Sequence, residues 1–210
     1  MTSIDECSKK PIELIFRELQ NQKLIRSKVK LKETRRVSNF KADPVFHRRI
    51  SYNKKMEKLS EDQLRFILLH EECHMISRQY SLKIALLAVI VAIVISYFIQ
   101  PDMASAEFRW VYIILILFLI PVFFRITRDL RHQEEFNSDL YAAKQLQKHY
   151  DISQPSLIAK ESFEAVTELM KPRKYPRLNR LIVLFIGVLN THPAVQKRVQ
   201  RIRDDVDYKE

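Results

Sequence analysis

His70-Glu71-Glu72-Cys73-His74 forms an HExxH pentapeptide. On an α-helix, residues four apart share a face, so His70 and His74 can present two ring nitrogens to one point. Two imidazoles so placed are a zinc-binding arrangement, and Glu71 between them can act as general base in metal-assisted peptide hydrolysis. The preceding residues supply the helix. Leu64, Ile67 and Leu68 recur at helical spacing, and Ser60 with Gln63 three residues later is a capping-box signature. A helix is therefore expected from about Ser60 past His74. The plain alternative is a pair of solvated or core histidines on an amphipathic helix, so the surrounding sequence has to decide.

Two apolar runs follow the pentapeptide. Residues 84–101 (IALLAVIVAIVISYFIQP) hold no charge, and residues 110–124 (WVYIILILFLIPVFF) form a second, shorter run. At helical rise they reach about 27 Å and about 22 Å, against roughly 30 Å of hydrocarbon. Arg109 and Arg125 can snorkel from the ends of the second run, and Trp110 and Tyr112 suit an interface. The pair is read as a transmembrane hairpin. Arg78 and Lys83 precede it and Arg125, Arg128 and Arg131 follow it, whereas the connecting turn carries Asp102, Glu107 and only Arg109. This asymmetry places both termini and the HExxH helix on the cytoplasmic side of a cell membrane, with the lipid bilayer as a partner.

Composition fits that picture. The chain of 210 residues carries a net charge of +11, but its 36 Lys and Arg are spread along it without aromatic interleaving or a recognisable nucleic-acid motif. Anionic lipid headgroups account for them more economically than nucleic acid, which is not expected as a partner. Cys7 and Cys73 form no disulfide framework, and no signal peptide opens the chain. A single glycine favours a mostly helical fold.

Three parts are expected: 1–83 with a strand and the HExxH helix, the hairpin at 84–124, and 125–210. An amphipathic helix is expected around Ile12 to Leu24 and a strand at Phe46 to Tyr52. Further helices are expected from about Arg125 to Tyr150 and from Pro155 to about Met170. A basic turn at 171–177 then leads to an apolar segment at 178–189, too short to span a bilayer. A catalytic zinc site needs a third protein ligand, for which Glu134, Glu135 and Asp139 are candidates. Glu135 and Asp139 are four apart and share a face. Near the C-terminus, Asn190-Thr191-His192-Pro193 precedes Arg198, with proline suited to open a helix.

Three blocks in this order resemble the HtpX-type membrane metallopeptidases, gluzincins related to the CAAX prenyl proteases. They are ISYNKKMEKLSEDQLRFILLHEECH (50–74), EFNSD with Ala142 (135–142) and THPAVQKRVQRI (191–202). The hairpin between the first two blocks looks similar as well, and the likeness covers roughly residues 46–202. It implies a mainly α, gluzincin-like zinc-peptidase domain with a small β element, interrupted by a two-helix transmembrane hairpin. It also implies one zinc ion per chain, held by His70, His74 and Glu135, with Glu71 as general base and acid. Asp139 would support the site, His192 would stand near the oxyanion, and Arg198 near the Asp139 carboxylate. The strand at Ile50, Ser51 and Tyr52 resembles the edge strand that holds substrate backbone. Glu134 fits less well, since Ser138 stands four residues after it. His47, His132 and His149 match nothing and are read as solvated or interfacial.

Two departures from the family pattern stand out. Glu72 and Cys73 occupy positions that usually hold an apolar residue and a glycine, and no counterpart of the family's first two transmembrane helices is expected in residues 1–45. The N-terminal segment must then cover the zinc lobe differently, or a partner or self-association must replace those helices. The expected function is a membrane-embedded zinc endopeptidase acting on misfolded or membrane polypeptides. The alternative is a zinc-binding membrane scaffold of weak or no activity.

Overall fold

The computed structural model describes residues 12–35, 37, 39–43, 48–77, 106–170 and 192–208, with side chains of its longest helix described from 128 onward. The architecture is mainly helical with one small sheet. Helix α1 (Ile12–Asn21) buries Ile12, Ile15, Phe16 and Leu19, an i, i+3, i+4, i+7 stripe that gives it one apolar face. Strands β1 (Lys30–Glu33), β2 (Phe40–Asp43) and β3 (Arg49–Tyr52) follow, then a 3₁₀ turn at Lys54–Lys58. Helix α2 holds the HExxH motif and is described over 61–77. Its first turn makes both bonds of the capping box: Ser60 N donates to Gln63 Oε1 at 3.0 Å and Gln63 N to Ser60 Oγ at 3.3 Å.

Helix α3 runs unbroken from Ala106 to Tyr150, 45 residues or about 68 Å of rise. Residues 110–124 and 125–150, expected as separate helices, therefore share one axis. The first expected span, 84–101, lies outside the described residues, as do Cys7, the basic turn at 171–177 and the apolar segment at 178–189. Among the residues described in full, no helix is long and apolar enough to cross a membrane. Helix α4 (Pro155–Leu169) opens on proline in its first turn, and α5 (Val195–Ile202) passes into a π turn at Arg203–Asp207.

The sheet order is β1-β3-β2, with β1 parallel and β2 antiparallel to β3. The strand whose likeness to the family's edge strand implied an edge position is thus the middle strand. Its main chain is paired on both sides, and Ile50, Ser51 and Tyr52 are all buried. Leu31, Ile50 and Ala42 stand side by side in register, as do Glu33, Tyr52 and Phe40. Except for the exposed Glu33, that face packs inward with α1 and with Leu64, Leu68 and Leu69 of α2. Arg65 joins α1 to the start of α2 through Glu18, Glu61 and Asp62 and lies over the Tyr150 ring of α3. Among the described residues, non-glycine positions take the left-handed turns: Lys23 after α1, Arg48 before β3 and Asp151 immediately after α3.

Candidate metal centre

Helix periodicity brings His70 and His74 together on α2, their Nε2 atoms 3.0 Å apart. The same i, i+4 logic on α3 brings Glu135 and Asp139 to face them. Glu135 Oε1 lies 3.3 Å from His74 Nε2, and Glu135 Oε2 lies 3.7 Å from His70 Nε2. One ligand atom from each of His70, His74 and Glu135 falls within 4.8 Å of the others. Two tetrahedral ligands about 2.0 Å from one zinc ion would stand roughly 3.3 Å apart, close to these separations.

The other ring nitrogens are engaged from behind. His70 Nδ1 lies 2.9 Å from Asp139 Oδ1, off the ideal hydrogen-bond line. His74 Nδ1 lies 3.4 Å from Ser138 Oγ. In the tautomer that places the proton on Nδ1, both Nε2 lone pairs point to the same place, as in metal sites whose histidines are oriented by a carboxylate or hydroxyl. Glu135 Oε2 is buried without a well-directed donor, although His192 Nδ1 approaches to 3.1 Å and Arg198 Nη2 to 3.3 Å. An acceptor left open inside a ring of imidazole nitrogens fits a divalent cation. The set of two nitrogens and a carboxylate suits zinc.

Electrostatics hold the acids ionised. Burial pushes the Glu135 carboxyl up, but His192, His74, His70 and Arg198 together outweigh it and keep it far below the ordinary carboxylate value. Asp139, 1% exposed, is likewise pushed up by burial and brought below its usual value by Arg198 and His70. Arg198 makes this possible: its Nε and Nη2 each donate at 2.6 Å to the two oxygens of Asp139. Its guanidinium also sits 4.1 Å from the centre of the Phe163 ring on α4, so α3, α4 and α5 meet at one side chain.

Glu71 is partly exposed on α2, and its Oε2 accepts a 2.7 Å hydrogen bond from Ala42 N on β2. That N–H points away from β3, so the outer edge of β2 faces Glu71. His192 is largely exposed beside Glu135. It does not cap α5, which starts at Val195 after Ala194 with no side-chain cap.

All of His70, Glu71, His74, Glu135, Asp139, His192 and Arg198 thus fall in one region linked by these contacts, whereas Ile50, Ser51 and Tyr52 lie inside the sheet. Sequence reasoning missed Ser138, Ala42 and Arg26. Ser138 was within reach, being three residues after Glu135 on the same face of α3. Ala42 acts through its main chain and gives no side-chain signal. Arg26 pairs with Glu72 at 2.6 Å; a glutamate at that place in the motif implies a nearby arginine, but nothing in a chain rich in arginine says which.

Residues 49–206 match the model of peptidase family M48. No curated protein and no solved structure is significantly similar to the chain.

Proposed function

The chain belongs to peptidase family M48, and from that premise we propose that it is a membrane-embedded zinc endopeptidase with its active site on the cytoplasmic side. The observation that carries the reading is the convergence of His70, His74 and Glu135, with Glu71 beside them on the same helix. Bound there, zinc would polarise a scissile carbonyl and make water a competent nucleophile near neutral pH.

The chain's own residues do the rest. Glu71 accepts the proton of the attacking water and later delivers it to the leaving nitrogen. His192, exposed at the mouth of the site, donates to the oxygen on which negative charge develops. Asp139 and Ser138 hold the two imidazoles from behind, and Arg198 holds Asp139. Extended substrate backbone adds to the outer edge of β2, because β3 is paired on both sides. Strand addition reads main chain more than side chain, which suits broad specificity toward misfolded or membrane polypeptides. Anchorage rests on the apolar runs at 84–101 and 110–124 and on the arginines and lysine flanking them.

Purified protein in detergent is expected to hold about one zinc per chain through three residues. Metal analysis of His70→Ala, His74→Ala and Glu135→Ala tests this. Each should lose the ion, and retention by all three would remove the metal-site assignment.

A further inference from the structure

The motif helix carries a carboxylate that the metal chemistry does not use. Glu72 lies about 200° around α2 from His70, on the opposite side of the helix from the metal ligands. It is 1% exposed. Its Oε1 accepts from Arg26 Nε at 2.6 Å and lies 3.5 Å from Arg26 N, while Oε2 is buried with no hydrogen-bond partner. An ionised carboxylate in such a place is costly unless paired. Among the described residues, its ion-pair partner is Arg26.

Arg26 comes from a segment that precedes the family match at 49–206. That segment, between α1 and β1, is itself fixed. Gln20 Nε2 donates to the carbonyls of Arg26 at 3.2 Å and Val29 at 2.9 Å, and Tyr141 Oη of α3 donates to the Leu24 carbonyl at 3.4 Å. Leu24, Ile25 and Val29 are buried against the core. The guanidinium therefore reaches Glu72 from an anchored backbone, and its side chain remains 44% exposed at the outer end of the pair.

We propose that Arg26 is a positioning residue of the peptidase: by pairing with Glu72 it fixes the back of the motif helix and makes residues 12–35 part of the catalytic unit. This rests on α2 being the catalytic helix. It also gives Glu72 a defined place in a motif where an apolar residue is usual. Displacing the 22–29 segment would leave a buried carboxyl without its cation on the far side of α2 from His70 and His74.

The test is a double-variant cycle on the full chain in detergent, comparing wild type, Arg26→Ala, Glu72→Leu and the double variant. The readouts are zinc titration, amide hydrogen exchange over 66–77, and kcat and KM for β-casein as probe. Arg26→Ala is expected to weaken zinc binding about tenfold, speed exchange in α2 and lower kcat with KM little changed. Made in the Glu72→Leu background, the same substitution should change each readout by less than about twofold. Equal losses in both backgrounds would mean that Arg26 only packs, and would overturn the proposal. Should Arg26→Ala fail to fold, folding of the double variant is the expected result, and its failure also overturns the proposal. A wild-type chain that binds no zinc would sink the metal-centre reading as well, whereas zinc binding with additive losses would sink this proposal alone.

Discussion

Ala42 N donates a 2.7 Å hydrogen bond to Glu71 Oε2, so the outer edge of the small sheet and the proposed general base are in direct contact. The bond aims the carboxylate and leaves the β2 edge alongside it, which is where an extended peptide would lie.

Replacing Ala42 by proline removes that N–H at an edge position where proline is sterically tolerated. Cleavage of β-casein is expected to fall by roughly tenfold or more through misorientation of Glu71, while zinc content stays at the wild-type level. Unchanged kcat would show that the amide does not orient the base.

Ser138→Ala leaves His74 Nδ1 without its hydroxyl neighbour. Zinc affinity should drop about tenfold, at the low end of what such supporting partners contribute. Competition titration against a chelator measures it, and an unchanged dissociation constant would reduce Ser138 to packing.

Asp139 and Arg198 form a buried pair whose rupture is expected to cost about 3–5 kcal/mol. The folded-state pKa of Asp139 lies below its unfolded value, so its contribution is present above pH ~4 and is lost as pH falls through the folded value. In metal-free protein, the gap in Tm between wild type and Asp139→Asn should therefore be full near neutrality and close progressively below pH ~4. A gap independent of pH would mean that the ionised carboxylate is not the stabilising species.

Periodicity made much of this site legible. His70 and His74, and Glu135 and Asp139, are i, i+4 pairs, and helical geometry alone sets each pair on one face. The capping box at Ser60 and Gln63 was legible for the same reason, being a local exchange of two hydrogen bonds. What was not legible depends on distant pairing. The edge position of β3 was implied only by its likeness to the family's edge strand, and a strand's own residues say nothing about how many neighbours it has; its partners come from Lys30–Glu33, a run with little apolar signal, and from Phe40–Asp43. Likewise α3 read as two helices because its composition changes sharply at Arg125, whereas its backbone hydrogen bonds continue through that change.

Topology decides which proteins the site can meet. In a background with Cys7 and Cys73 replaced by serine, Ser105→Cys in the expected outer turn should react with an impermeant thiol reagent in intact cells. Ser153→Cys, between α3 and α4, should react only after lysis. The reverse pattern would put the active site outside the cytoplasm, and protection at both positions would contradict a spanning hairpin.

If Glu71 is the base for proteolysis at a zinc ion held by His70, His74 and Glu135, cleavage of an unfolded test protein by wild type and by Glu71→Gln at equal zinc content should differ sharply. Wild type should cleave it, and the variant should retain zinc yet lose activity by about 10²–10⁴-fold. Equal cleavage by both would contradict the mechanism, and cleavage by neither would identify a zinc-binding membrane scaffold in place of a peptidase.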